Sequence, residues 1–191
     1  ELSSACGGAI GGSLVSRDET GRLVNRFWLL DHRSPRAWYD KAHLFEPLRE
    51  HELLAAGRRH GRLQLRGEPV SASICFDLRF PETYRAAAVE GVRLFLVVAQ
   101  WPEPRQAILT TLARARSMEN QAFVALCNRI GPASDGLIFP GESAVFGPDG
   151  VERVAAVRGR GVFVAEVDLS EADRVRDWLP VLTRRVPGVD G

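Results

Sequence analysis

The chain has 191 residues, is 45% hydrophobic and carries a formal net charge of +1 at pH 7. This length and apolar content are enough to bury one core without disulfides or metal ions, so we expect a single domain over residues 1–191. The charges are nearly balanced and interspersed, which excludes the basic stripe of a typical nucleic-acid-binding protein.

The cysteine pattern and the apolar segments exclude several other classes. The three cysteines, Cys6, Cys75 and Cys127, are odd in number, have no CxxC spacing and in two cases end apolar runs, so we expect neither a disulfide framework nor a zinc site. No apolar segment reaches the length of a membrane span, and the first residues lack the features of a signal peptide. We therefore expect a cytoplasmic protein with no cofactor, no metal, and neither a membrane nor a nucleic acid as partner.

Apolar runs and turn residues predict the strands and helices in chain order. The predicted strands are Ala9–Ser16, Asn25–Leu30, Arg62–Arg66, Pro69–Phe76, Val92–Ala99, Ala122–Cys127, Ser143–Phe146, Val151–Val157 and Gly161–Val167. The predicted helices are Glu82–Glu90, Pro104–Met118 and a segment from Ser170 to about Trp178. The segment around Lys41 reads as irregular, and Glu46–Ala56 as a short helix or a loop. This alternation, with two hairpins, indicates an α/β domain with mixed sheets.

Lys41 is the single lysine of the chain, and the other residues among its 25 lysines and arginines are all arginine. An ammonium group is a compact charge whose pKa moves readily on burial, whereas a guanidinium stays charged and planar. A lone lysine in such a chain suggests a task that guanidinium cannot perform. Drift in composition explains it equally well, so this observation alone does not decide.

Cys75 and Cys127 both end predicted strands, and their surroundings distinguish them. Cys127 completes an apolar run and is expected to be a packing residue. Cys75 lies where a strand turns towards a helix that begins at Pro81, at the carboxyl edge of a sheet, where α/β proteins bind ligands. A nearby helix start also favours the thiolate. Cys75 is therefore a candidate nucleophile, with packing as the alternative.

A thiol nucleophile needs a base and a group that stabilises the oxyanion. His43 is one candidate base, although a histidine beside Leu44 and Phe45 more often packs locally. A thiol hydrolase that pairs Cys75 with His43 is therefore one hypothesis, and it predicts that His43→Ala removes activity.

Four blocks of sequence carry a family resemblance. Residues 39–45 read YDKAHLF and residues 74–82 read ICFDLRFPE; ARSMENQ at 115–121 precedes CNRIG at 127–131, and GES at 141–143 precedes PDG at 148–150. In this order and spacing they resemble the lysine motif, the nucleophile motif, a third block and a late hairpin of the nitrilase superfamily of carbon–nitrogen hydrolases. DLRF at 77–80 and AQWP at 99–102 are similar to the omega-amidase-like branch.

The resemblance implies a four-layer α-β-β-α sandwich, a homodimer and hydrolysis of a small-molecule amide, such as an omega-amide of a dicarboxylic acid. It implies that Cys75 attacks the amide carbonyl, expels ammonia and leaves a thioester that water cleaves. It also implies that Lys41 and the backbone N–H of Phe76 stabilise the oxyanion, and that Glu50 supports the site. Without the resemblance, Glu50 in its charged run would be read as a solvated residue.

Three further residues receive roles from the same resemblance. Arg79 would bind a substrate carboxylate, Trp101 would form a pocket wall, and Glu119 would be a buried supporting residue. Each has an ordinary alternative: Arg79 could pair with Asp77 or Glu82, Trp101 could fill the core, and Glu119 could be a helix-end charge.

The chain departs from the family pattern at its start. The family triad is glutamate, lysine and cysteine, with the glutamate on an early strand–helix–strand unit before the lysine. Residues 11–14 already resemble the strand after that unit, neither Glu1 nor Glu19 matches the glutamate, and the only methionine is Met118. We therefore expect an amino-terminally truncated member without the first strand–helix–strand unit, or, alternatively, a non-catalytic remnant that acts as an interaction protein.

Overall fold

The computed structural model describes residues 2–33, 36–133 and 136–186 of the chain. The strands are β1 (Ile10–Arg17), β2 (Leu23–Leu30), β3 (Ala37–Asp40), β4 (Arg62–Leu65), β5 (Glu68–Ile74), β6 (Leu94–Ala99), β7 (Phe123–Asn128), β8 (Ile130–Pro132), β9 (Ile138–Phe146) and β10 (Glu152–Arg158). The helices are α1 (Leu2–Cys6), α2 (Glu50–Leu53), α3 (Pro81–Val89), α4 (Gln106–Asn120) and α5 (Ser170–Trp178).

The strands form two sheets of different kinds. The first is antiparallel with the order β1-β2-β3, and the second has the order β10-β9-β7-β6-β5-β4, with β8 beside β9. In the second sheet β5, β6 and β7 run parallel, and the outer strands are antiparallel. Because parallel strands end at the same edge, the residues that follow β5, β6 and β7 lie close together.

Two apolar clusters hold these layers. Phe27, Leu29 and Tyr39 of the first sheet pack with Val70 and Ile74 of the second, and all five are buried. A larger cluster lies between the second sheet and helices α3 and α4. The buried residues of α4 recur every three or four positions, so one face of this helix is buried.

The outer face of the first sheet is open within the described residues. Leu14 of β1 and Trp38 of β3 are 67% and 44% exposed. The described residues thus form the α-β-β part of the expected sandwich.

The mixed α/β organisation predicted from the sequence is confirmed, including both hairpins. The β4–β5 turn is made by Arg66 and Gly67, both at positive φ (52° and 89°). A two-residue hairpin turn with these angles matches the right-handed twist of the two strands that it joins. No helix in the described part of the chain is long and apolar enough to cross a membrane.

Some predicted elements are wrong. The strand expected at 161–167 does not form: Val162 and Val164 are 92% and 84% exposed and lie in no sheet ladder. Conversely, the irregular segment before Lys41 contains β3, whose Trp38 lies opposite Trp28 of β2. Helix α1 and the short strand β8 were also not predicted.

Candidate active site

Cys75 lies on a sharp turn at the end of β5. It begins a single 3₁₀ turn, Cys75–Arg79, and has a φ of 51°, in the left-handed region that is unfavourable for a non-glycine residue. The Asp77 carboxylate accepts the backbone N–H of Ile74 at 3.0 Å and stabilises this turn. The predicted presentation of Cys75 at the carboxyl edge of the parallel strands is therefore found.

Lys41 follows β3 and reaches the same edge from the first sheet. Its side chain is 1% exposed, and its Nζ lies 2.5 Å from Oε2 of Glu50. The same carboxylate oxygen accepts the backbone N–H of Phe45 at 2.7 Å, which fixes Glu50 at the start of α2. The pairing of a buried ammonium with a carboxylate is the arrangement that such a charge requires.

A cavity of about 400 Å³ brings these groups together. Cys75, Lys41, Glu50, Phe76 and Arg79 all contribute to its wall. Other lining residues come from the ends of β6 and β7, from the loops beside them and from β9; they include Gln100, Trp101, Arg105, Cys127, Asn128, Arg129 and Phe139. Among the described lining residues Glu50 is the only carboxylate.

The environment of Cys75 favours the neutral thiol. Burial raises the pKa of Cys75 above its ordinary value, and the positive charge of Lys41 acts in the opposite direction. The Sγ atom lies 3.8 Å from the carbonyl oxygen of Gln100, a weak contact that also opposes the rise of the pKa. A reaction at this thiol therefore needs a group that takes its proton.

Arg79 and Trp101 form one side of the cavity. Arg79 is exposed, and its guanidinium lies 5.3 Å from the centre of the Trp101 ring. Among the residues that the structure describes, no carboxylate lies within ion-pair distance of Arg79, so the alternative pairing with Asp77 or Glu82 is not found. Trp101 is 5% exposed and donates its indole N–H to the carbonyl of Arg105 at 2.8 Å, so it both fills the core and forms the wall.

The comparisons with known proteins agree with this geometry. Residues 1–177 match the family model described as Carbon-nitrogen hydrolase. The chain belongs to the carbon-nitrogen hydrolase family. It is 43% identical over 145 residues to the 2-oxoglutaramate amidase of Bacillus subtilis (strain 168), which covers 75% of this chain and 55% of that protein.

Two further matches confirm the resemblance to the omega-amidase-like branch and to the nitrilase fold. The chain is 37% identical over 170 residues to Omega-amidase YafV of Escherichia coli (strain B / BL21-DE3), covering 89% of this chain and 61% of that protein. Its structure matches the amidase of Nesterenkonia sp. AN1, of the nitrilase superfamily, with a TM-score of 0.79 and 29% identity, covering 93% of this chain and 72% of that chain. That structure is of a mutant of the amidase, in which acrylamide has added to the active-site cysteine. The chain spans less than two thirds of the length of the two sequence relatives.

Two residues singled out in the sequence lie elsewhere than expected. Glu119 is half-buried rather than buried, does not line the cavity, and accepts a hydrogen bond from the Arg116 guanidinium at 2.8 Å. Arg116 in turn donates to the carbonyl of Leu78 at 3.0 Å, so hydrogen bonds through Arg116 connect Glu119 to the nucleophile turn. Cys127, expected to pack in the core, is exposed and faces the cavity because it lies near the carboxyl end of β7.

His43 does not lie with Cys75. Its ring stacks on Phe80 at 3.5 Å, and its Nδ1 lies 2.9 Å from Oδ1 of Asp77. It lines a different cavity, beside Ser73 and Tyr84. The hypothesis of a Cys75–His43 pair therefore has no support from the geometry.

Asn128 is a site residue that the sequence reasoning missed. It is 6% exposed at the end of β7, accepts the backbone N–H of Trp101 at 2.8 Å and donates to the carbonyl of Gly141 at 2.7 Å. It thereby fixes the wall that Trp101 forms. A polar residue directly after an apolar strand is the only sequence signal that could have indicated this role.

Proposed function

We propose that this chain supplies the cysteine and lysine of an amidase site that hydrolyses a small omega-amide of a dicarboxylic acid. The observation that supports this most is the convergence of Cys75, on a positive-φ turn, and the buried Lys41 ammonium on one cavity. The amidase names of the relatives support the reaction class. The chain spans only part of the length of those relatives, so their activity enters here as a proposal.

In the first step, Sγ of Cys75 forms a bond to the amide carbonyl carbon, and the carbon–nitrogen bond breaks. The thiol proton passes to the leaving nitrogen, which departs as ammonia and leaves an acyl thioester on Cys75. In the second step, water attacks the thioester, the acid product leaves, and a proton returns to the thiol. A covalent intermediate of this kind divides one difficult hydrolysis into two easier steps.

Lys41 and the backbone N–H of Phe76 stabilise the negative charge that develops on the carbonyl oxygen. Phe76 lies in the first turn of the 3₁₀ segment, where backbone N–H groups have no partner within the helix. Glu50 holds the Lys41 ammonium in place by accepting a hydrogen bond from its Nζ. Such preorganised donors commonly account for about 10²–10³ in kcat.

Arg79 provides the specificity for an acidic substrate in this proposal. Its guanidinium has no carboxylate partner among the described residues and lies at the cavity wall beside Trp101. A guanidinium binds a carboxylate through two parallel hydrogen bonds, so the end of the substrate remote from the amide would be held there.

Ammonia release by the complete gene product tests the proposal. Succinamate carries the remote carboxylate, and butanamide has the same carbon chain without it. We expect turnover of succinamate, its loss in Cys75→Ser, and unchanged turnover in Cys6→Ser, which alters an exposed cysteine outside the cavity. Turnover by Cys75→Ser in a clean preparation would reject the assignment of the nucleophile.

A second function is favoured by one observation. Glu50 is the only carboxylate among the described residues that line the cavity, and it is already paired with Lys41. A protein without a further base would bind amides without hydrolysing them and act as an interaction protein. Saturable binding of succinamate without ammonia release would favour this alternative.

Assembly and location are part of the same proposal. We expect a homodimer in the cytoplasm, as the family resemblance implies. Sedimentation velocity of the complete gene product distinguishes a dimer from a monomer.

A further inference from the structure

Asp77 is a buried charge near the site whose two carboxylate oxygens both accept hydrogen bonds. It is 1% exposed and lies two residues after Cys75. Its Oδ1 accepts the backbone N–H and the ring Nδ1–H of His43, each at 2.9 Å, and its Oδ2 accepts the Tyr39 hydroxyl at 2.9 Å and the Ile74 N–H at 3.0 Å. Four donors on one buried carboxylate satisfy its charge.

These four hydrogen bonds join two distant segments of the chain. Ile74 belongs to the turn that carries Cys75, whereas Tyr39 and His43 flank Lys41 on both sides. The Tyr39 hydroxyl also accepts the backbone N–H of Ala42 at 3.0 Å, directly after the lysine. The backbone around Lys41 is therefore fixed to the nucleophile turn through a single side chain.

Two features make this connection rigid. The His43 ring is nearly parallel to Phe80, with an interplanar angle of 9°, so it cannot rotate freely away from Asp77. Burial and the negative charge of Asp77 raise the pKa of Tyr39 far above its ordinary value, so the hydroxyl remains a donor at every accessible pH.

We propose that Asp77 is a positioning residue that sets the Lys41 ammonium relative to the Cys75 thiol through Tyr39 and His43. This inference rests on the proposed amidase function, in which the two groups must act on one carbonyl. Asp77 does not line the cavity, so it acts through these partners and not on the substrate. A displacement of about 1 Å in such a site can lower the rate about 100-fold.

Tyr39→Phe and Tyr84→Phe form a matched pair for the test. Both tyrosines are buried, at 5% and 2% exposure, and both hydroxyls bond to a buried partner. The partner of Tyr84 is Ser73, which is not connected to Lys41 by any hydrogen bond in the described residues. Each variant removes one buried hydroxyl, which bonds to Asp77 and Ala42 in Tyr39 and to Ser73 in Tyr84, and only Tyr39→Phe breaks the connection between the lysine and the nucleophile.

The complete gene product is assayed for ammonia release from succinamate. We expect Tyr39→Phe to lower kcat about 10- to 100-fold with KM within about threefold, and Tyr84→Phe to keep kcat within about twofold. Asp77→Asn, which replaces one acceptor oxygen by a donor, should lower kcat at least as much as Tyr39→Phe. Equal kcat values in Tyr39→Phe and Tyr84→Phe would show that the network only stabilises the fold.

A second readout separates this inference from the proposed function. The alkylation rate of Cys75 by iodoacetamide, followed by peptide mass spectrometry with Cys6 as internal standard, does not depend on amide turnover. Because the Lys41 charge lowers the pKa of Cys75, a displaced ammonium should slow alkylation in Tyr39→Phe but not in Tyr84→Phe. If the wild type releases no ammonia, the proposed function fails. The alkylation rate of Cys75 still tests whether Asp77 positions the Lys41 ammonium. Equal alkylation rates in the two variants would overturn the positioning role.

Discussion

Replacement of Lys41 by arginine tests whether the site needs a compact ammonium or only a positive charge. The Lys41 side chain is 1% exposed with its Nζ 2.5 Å from Glu50, so the larger guanidinium cannot take the same position and must shift against its neighbours or into the cavity. Extra atoms in a packed site cost about 1–3 kcal/mol of stability. They also displace the charge by on the order of 1 Å, which corresponds to about a 100-fold loss in rate. We expect Lys41→Arg to show both losses.

Lys41→Met separates the charge from the volume. It removes the oxyanion donor, and we expect kcat to fall about 10²–10³-fold. Glu50 is left unpaired but is 21% exposed and can be hydrated, so the free energy of unfolding should fall by less than the about 3–5 kcal/mol typical of a fully buried pair.

The assays are ammonia release at saturating succinamate and urea unfolding of the same preparations. Arg174→Lys is the control, because it also exchanges a guanidinium and an ammonium, but on a side chain that is 63% exposed. It should change neither kcat nor the free energy of unfolding. A kcat for Lys41→Arg within about threefold of the wild type would refute the reasoning and leave the lone lysine as compositional drift.

Three further outcomes are expected. Arg79→Ala should raise KM for succinamate about 10-fold or more without affecting turnover of butanamide, since a charge-assisted hydrogen bond contributes about 1.5–3 kcal/mol; equal effects on both amides would contradict a carboxylate site. Because burial raises the pKa of Cys75, its thiolate fraction should still be rising above pH 9, and an alkylation midpoint below the ordinary thiol value of about 8.5 would contradict this. Gly61→Ala should lower the free energy of unfolding, measured with urea, by at least about 3 kcal/mol, because the new Cβ meets the carbonyl of Ala72. Gly12→Ala is the control, because its Cβ has open space and should change this free energy little.

The parts of the fold that could be predicted are those with local signals. The apolar run of β6 and the proline at the start of α3 each determine their element over a few residues. Strand β3 has only four residues and depends on pairing with β2, which no local pattern shows. The error at 161–167 has the same origin, because alternating valines favour a strand only where a neighbouring strand is available.

The candidate site shows the same division between local and distant information. The turn at Cys75 and the oddity of Lys41 are visible in the sequence, and the family resemblance joined them to Glu50. The role of Asp77 was not visible, because its partners Tyr39 and His43 lie 38 and 34 residues away. The exposure of Cys127 depends on where β7 ends relative to the cavity, which the apolar run does not specify.

Partitioning of the acyl group between water and hydroxylamine tests the covalent role of Cys75 most directly. With succinamate as substrate, a thioester on Cys75 would react with hydroxylamine and give a hydroxamate at the expense of the acid. We expect this product from the wild type and from Cys6→Ser, and none from Cys75→Ser. Hydroxamate formation by Cys75→Ser at the wild-type rate would contradict a mechanism in which this thiol carries the acyl group.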